Sequence, residues 1–124
     1  IIFGVPGAFT PTCSEKHLPG FINLYDQFQK KGVHDIYCLS VNDAFVMKAW
    51  LGSYSKGYLI NGIADGNADF TKKLQLTTDI SGGFMGIRCK RFALIANQNN
   101  ISKLLVEEKG QFIVSSAENT LNHL

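Results

Sequence analysis

Charge of one sign, long apolar runs and regularly spaced cysteines are all scarce in this sequence, and each shortage excludes something. Lysine and arginine number 12 against 10 acidic residues, a formal net charge of +2. That balance gives no reason to expect a nucleic acid or an anionic membrane as partner. No apolar stretch approaches the roughly 20 residues of a membrane-spanning helix. Cysteine occurs 3 times, at Cys13, Cys38 and Cys89, without regular spacing. This excludes a disulfide scaffold and suits a reducing compartment. With so few His and Cys residues, and none of them clustered, neither a zinc site nor any other cofactor is expected.

What remains is the composition of an ordinary globule, 124 residues with 45% hydrophobic and 18% charged. That length supports one domain, residues 1–124, around a single core. Ile1–Val5 is a continuous apolar run, the signature of a strand buried on both faces. Leu18, Phe21, Tyr25 and Phe28 then form one helical stripe, stopped at Lys30-Lys31-Gly32. Pro19-Gly20 should kink that helix or split it in two. Val33–Val41 reads as a second strand, and Asn42-Asp43 as the cap of a helix reaching Leu51. Tyr58–Ala64 is expected to be a third strand, followed by a short helix around Phe70–Leu74. Cys89–Ala96 and Ile101–Glu107 read as a hairpin joined by Asn97–Asn100. Ser115-Ser116-Ala117-Glu118 has the spacing of a capping box before a last helix carrying Ala117, Leu121 and Leu124. The order βαβαβα followed by ββα implies an α/β, thioredoxin-like arrangement, a mixed central sheet with helices on both faces.

The most informative stretch is Pro6-Gly7-Ala8-Phe9-Thr10-Pro11-Thr12-Cys13. It follows the first strand directly and places one thiol in the first turn of the next helix. Unpaired backbone N–H groups and the positive end of the helix dipole face such a thiol, and both favour the thiolate. A thioredoxin C-x-x-C pair is absent, because Thr10 stands three residues before Cys13.

Pro6, Thr10 and Cys13 match the P-x-x-x-T-x-x-C signature of peroxiredoxins. Gly4–Pro11, His17-Leu18-Pro19-Gly20-Phe21, Ser40–Val46 and Lys90-Arg91-Phe92 resemble the type II, peroxiredoxin-five-like class over essentially the whole chain. The resemblance implies a thiol-dependent peroxidase that reduces hydrogen peroxide and alkyl hydroperoxides. Cys13 would be the peroxidatic nucleophile, passing through a sulfenic acid. Thr10 would position the peroxide, Pro6 would shield the thiolate from water, and Arg91 would supply the fixed cation. Arg88 is the runner-up for that cation, although strand alternation points it to the other face. The alternative in a different class is a peroxide-sensing relay that passes oxidation from Cys13 to a partner protein.

Some members of the class carry a resolving cysteine in the C-terminal region, and Gly110–Ser116 has none. Cys38 reads first as a small core residue. Cys89 shares a face with Arg91 by alternation unless a bulge intervenes. A one-cysteine mechanism is therefore favoured, with Cys38 and Cys89 as secondary candidates for resolving thiols. Reduction would come from glutaredoxin with glutathione, or from thioredoxin. His17 is expected to pack or hydrogen-bond near the site without serving as its base. His34 and His123 read as surface residues. Asp65, Asn67 and Asp69 resemble the start of a calcium loop, but Phe70 stands where glycine is required, so a helix cap fits better. Trp50 and Phe45 read as core. Core packing is also the default for Phe9 and Phe84-Met85-Gly86, with a homodimer contact as the alternative. Ile1 opens inside a strand without an initiating Met, so N-terminal strands and any targeting peptide are expected to be missing. The compartment is expected to be cytoplasmic or organellar (mitochondrial, plastid or peroxisomal). Asn122-His123-Leu124 is only a distant match to a peroxisomal S-K-L tail.

Overall fold

Ile2–Gly4 (β1) forms the middle of the sheet, as its unbroken hydrophobicity requires. A computed structural model describes residues 1–124. β1 pairs in parallel with Tyr37–Ser40 (β2), which pairs in parallel with Asn61–Ala64 (β3). On its other side β1 runs antiparallel to Phe92–Asn97 (β6), and β6 antiparallel to Asn100–Val106 (β7). The order β3-β2-β1-β6-β7 is a mixed sheet, as the element order implied.

The β1–β2 connection carries a helical run: a π-helical turn at Cys13–His17, then Leu18–Asn23 (α1) and Tyr25–Lys30 (α2). The break falls at Leu24 rather than at Pro19-Gly20; Pro19 occupies the first turn of α1, where its fixed φ suits the helix. Gly32, at φ +91°, closes α2 with Val33 N–H on the Phe28 carbonyl and Gly32 N–H on that of Gln29. This double bond pattern after a left-handed glycine is a Schellman stop. It consumes Val33, which is why the second strand begins only at Tyr37.

Ala44–Gly52 (α3) follows β2, with Asp43 accepting from Val46 N–H as its N-cap. Gly57–Leu59 is a 3₁₀ turn, so the third strand starts three residues later than its apolar pattern implied. Asp69–Lys73 (α4) is held by the Asp65 carboxylate, which accepts from Phe70 N–H, Thr71 N–H and the Thr71 hydroxyl. The helix-cap reading of Asp65 therefore holds. The last helix, Ala117–Asn122 (α5), is capped by Ser116 accepting from Asn119 N–H, not by the Ser115/Glu118 pair.

One element lay outside the sequence reading. Thr77–Asp79 (β4) and Ile87–Cys89 (β5) form a separate two-stranded ribbon. The strand expected over Cys89–Ala96 is thus two strands, and Lys90 and Arg91 lie in the break between them.

The sheet's two faces carry two cores. Phe3, Val5, Cys38 and Ala93 face one side, where they meet Cys13, Leu18, Phe21, Phe28, Met47, Trp50 and Ala117 from the π turn, α1, α2, α3 and α5. Phe3 stacks on Phe21 at 4.2 Å and Phe21 on Phe28 at 5.5 Å. Such ring pairs add about 0.5–1.5 kcal/mol each beyond their buried area. Leu39, Phe92 and Leu94 face the other side, covered by Leu76 and Cys89, with Leu74 beyond the end of α4 packed against them. Gly4 belongs to that second face, and a Cβ there would lie 2.1 Å from the Phe92 ring and 2.8 Å from the Cys89 sulfur. Trp50 is core, but Phe45 is 87% exposed, because capping by Asp43 turns the second residue of α3 outward. No helix is long and apolar enough to cross a membrane.

Candidate active site

The loop that leaves β1 is fixed at both ends before any side chain acts. Val5 N–H donates to the Leu39 carbonyl at 3.0 Å. Ala8 N–H donates to Asn42 Oδ1 at 3.0 Å, and the Ser40 hydroxyl donates to the same oxygen. Asn42 therefore ties this loop to the end of β2, while its neighbour Asp43 does the capping. Phe9 takes a left-handed conformation at φ 63° and points to solvent. Helical bonding begins with Ser14 N–H on the Thr10 carbonyl at 2.9 Å. The preceding N–H groups, those of Thr12 and Cys13, stand at the partner-free start of the helix.

The π turn has a local cause. Leu18 N–H reaches back five residues to the Cys13 carbonyl. The next such bond would run from residue 19 to the Ser14 carbonyl, and proline has no N–H to make it. The Tyr54 hydroxyl donates to that carbonyl instead, and Trp50 Nε1–H donates to the Ser14 hydroxyl at 3.0 Å. Residues at the end of α3 and just beyond it thus hold the turn that carries the thiol.

Cys13 is 1% exposed, packed in the core face of the sheet. Arg91 Nη2 donates to its sulfur at 3.2 Å. Arg91 Nη1 donates to His17 Nδ1 at 3.1 Å, and His17 Nε2 pairs with the Ser115 carbonyl at 2.9 Å. The Arg91 guanidinium also lies 5.9 Å from the centroid of the Phe112 ring. His17 is fully buried, surrounded by the Phe3, Phe21 and Phe112 rings at 5.0–5.6 Å. Burial, reinforced by the neighbouring Arg91 charge and only partly opposed by the Ser115 bond, pushes its pKa down to about 3.

The Thr10 hydroxyl donates to the Gly7 carbonyl at 2.6 Å, which leaves its oxygen able to accept from another donor. Pro6 borders an open depression of about 770 Å³ that also reaches Thr12, Lys16, Arg91, Glu107 and Phe112. Of the four residues singled out in the sequence, Arg91 meets Cys13 through its hydrogen bond and Pro6 through the shared depression, whereas Thr10 bonds to Gly7 and lies outside that lining.

Arg88, the runner-up, spends its guanidinium on backbone oxygens: Nε on Met85 at 2.8 Å and Nη1 on Pro6 at 3.5 Å. The alternation argument used against it does not apply, since Arg91 belongs to no strand. What separates the two arginines is their partners. Cys38 shares the core face with Cys13, but burial, then the neighbouring Cys13 and Cys89 sulfurs, drives its pKa well above the ordinary thiol range. Cys89 lies in the other core, its thiol donating to the Lys90 carbonyl at 3.0 Å. Burial, with Asp65 adding to it, raises its pKa to about 12. All three cysteines are free.

Sequence reasoning missed Glu107, Phe112 and Ser115. The Glu107 carboxylate accepts from Ile113 N–H at 2.7 Å and from the N–H and hydroxyl of Ser115, both at 2.8 Å. Burial pushes its pKa up, but these donors outweigh it and leave the carboxyl below the usual range. Glu107 N–H donates to the Arg91 carbonyl at 3.0 Å, so one residue fixes both the arginine backbone and the 108–115 segment. The only sequence signal was an acid ending the apolar run Leu104-Leu105-Val106.

The family model described as Redoxin matches residues 1–121. Peroxiredoxin-2C of Oryza sativa subsp. japonica is 51% identical over all of this chain and 76% of its own length. Reduced Prx3 of Vibrio vulnificus in complex with hydrogen peroxide superposes with a TM-score of 0.94 at 51% identity, covering 99% of this chain and 79% of that one. The antioxidant protein of Plasmodium falciparum, a 1-Cys peroxiredoxin, gives a TM-score of 0.92 at 37% identity, covering 98% and 72%.

Proposed function

The chain belongs to the redoxin family as a peroxiredoxin of the type II, peroxiredoxin-five-like class, and on that premise we propose that Cys13 is its peroxidatic nucleophile. It is a thiol-dependent peroxidase, taking a peroxide as substrate and a thiol as reductant. In our reading the Cys13 thiolate attacks one peroxide oxygen in line with the O–O bond. An S–O bond forms and the O–O bond breaks. The departing oxygen takes a proton and leaves as water or alcohol, and the sulfur is left as a sulfenic acid. Thr10 holds the peroxide by its hydroxyl, Pro6 keeps water from the sulfur, and Arg91 carries the positive charge beside sulfur and peroxide. A thiol then displaces water to give a mixed disulfide, and a second thiol restores Cys13.

The observation that carries this reading is the 3.2 Å bond from Arg91 Nη2 to the Cys13 sulfur. A guanidinium there favours the anionic sulfur and remains in place as charge moves to the leaving oxygen. The mechanism is one-cysteine in our reading, because Cys38 and Cys89 are buried with raised pKa values. The reductant we propose is glutaredoxin with glutathione, or thioredoxin. Residues 1–124 act as one domain, working in a reducing compartment, cytoplasmic or organellar.

A homodimer is proposed from the surface. Phe9 is 59% and Phe84 99% exposed, both at positive φ. Their two loops touch: a Cβ added at Gly7 would meet the Met85 methyl at 3.0 Å. Phe84→Asp should shift a dimer toward monomer in sedimentation; a wild-type monomer would remove the proposal.

Turnover is the test of function. Repeated peroxide consumption is expected when glutathione with glutaredoxin, or thioredoxin, is supplied, and none from Cys13→Ser. A peroxide-sensing relay would instead oxidise once and stop until its partner protein is added.

A further inference from the structure

We propose that His17 is a positioning residue for the peroxidase reaction, its Nδ1 lone pair anchoring one arm of the Arg91 guanidinium so that the other arm stays on the Cys13 sulfur. This rests on the peroxidatic reading of Cys13 given above. The problem it addresses is mechanical. Arg91 sits in the break between β5 and β6, where Glu107 N–H holds its backbone carbonyl but leaves its side chain unfixed. Its side chain is long and loses much rotamer freedom when held in one pose. A donor to sulfur is useful only while the fork keeps its direction, and displacement of a catalytic group by an ångström can cost about 100-fold in rate.

The hydrogen-bond chemistry leaves His17 a single state. Arginine can only donate and a carbonyl can only accept. The Arg91 bond at 3.1 Å therefore requires a bare Nδ1, and the Ser115 bond at 2.9 Å requires a proton on Nε2. A ring so bound is neutral, in agreement with its strongly lowered pKa. Both nitrogens are also fully committed. No lone pair remains to take the Cys13 proton, so the imidazole is not the base of the reaction. The guanidinium is thus the cation between imidazole and thiol, and its charge is directed at the sulfur rather than shared with an imidazolium. Phe112 completes the seating, with its ring 5.9 Å from the guanidinium carbon and edge-on to His17 at 5.2 Å.

Two amide substitutions separate this role from simple packing. In His17→Asn the side-chain oxygen overlays Nδ1 and can still accept from Arg91, while the bond to Ser115 is lost. In His17→Gln the amide nitrogen overlays Nε2 and can still donate to Ser115, while the acceptor for Arg91 is lost. The readouts are the rate of Cys13 oxidation by hydrogen peroxide and the melting temperature of each variant. His17→Gln should oxidise roughly 10- to 100-fold more slowly than wild type, with His17→Asn recovering most of that rate whatever its melting temperature. Equal rates in the two variants, or rates that simply follow their melting temperatures, would overturn the proposal. Failure of wild-type Cys13 to be oxidised by peroxide would instead remove the peroxidase reading on which it stands.

Discussion

In the proposed reaction a single guanidinium carries most of the chemistry that the site adds to a thiol. Arg91 touches the Cys13 sulfur at 3.2 Å, whereas Arg88 is spent on the Met85 and Pro6 carbonyls. Arg91→Met should slow peroxide oxidation of Cys13 by about 10²- to 10³-fold, the cost of losing one preorganised donor to developing charge. Arg88→Met should slow it less, since it loses only a loop contact. Stopped-flow rates in which the two effects are equal or reversed would shift the assignment to Arg88. His17 leaves a second mark at this scale, on stability. Its pKa is lowered from an ordinary 6.5 to about 3, so between those values the unfolded chain binds a proton that the folded chain refuses. Stability from this group is complete above pH 6.5 and drains away as pH falls toward the folded value, with a slope of at most about 1.4 kcal/mol per pH unit. His34 and His123 are exposed and carry no such bond. Melting temperatures of wild type should begin to fall below about pH 6.5, and His17→Asn should flatten that onset; parallel curves would contradict it.

Among the elements, the π turn shows most clearly what a sequence can and cannot disclose. Pro19 was readable as a disturbance, but its consequence was displaced: the ladder widens before it, at Cys13–His17, and α1 continues through it. The compensating donor, the Tyr54 hydroxyl, comes from 40 residues away in the chain, and no local pattern points to it. Tyr54→Phe leaves the Ser14 carbonyl without that donor, which should cost about 1–3 kcal/mol in chemical denaturation. An unchanged midpoint would mean that another group takes over the carbonyl. Strong local signals survived contact with the structure, among them the Asp43 cap, the Gly32 stop and Asp65 at α4. Weak ones did not. The first ribbon strand, Thr77–Asp79, is three residues of polar sequence, too short to show a period. The break at Lys90–Arg91 is hidden because apolar residues flank it on both sides, and only the change of sheet partner reveals it.

The molecule as a whole distributes its cysteines across the sheet. Cys13 and Cys38 lie on the face covered by α1, α2, α3 and α5, while Cys89 packs with Leu74 and Leu76 on the opposite face. The fold class and the motif residues were legible because backbone order and short-range spacing encode them. The surroundings of Arg91 were not, because they are assembled from the β1–α1 loop, the π turn, the β5–β6 break and the 107–115 segment. Glu107 draws that last segment in through three donors that sequence leaves as an unremarkable Ser-rich stretch. One measurement puts the central claim at risk: intact-protein mass spectrometry after one equivalent of hydrogen peroxide, on wild type and on Cys13→Ser, Cys38→Ser and Cys89→Ser. The expected result is addition of a single oxygen in every protein except Cys13→Ser. Oxygen uptake that persists in Cys13→Ser, or a loss of two hydrogens that disappears in Cys38→Ser or Cys89→Ser, would contradict it.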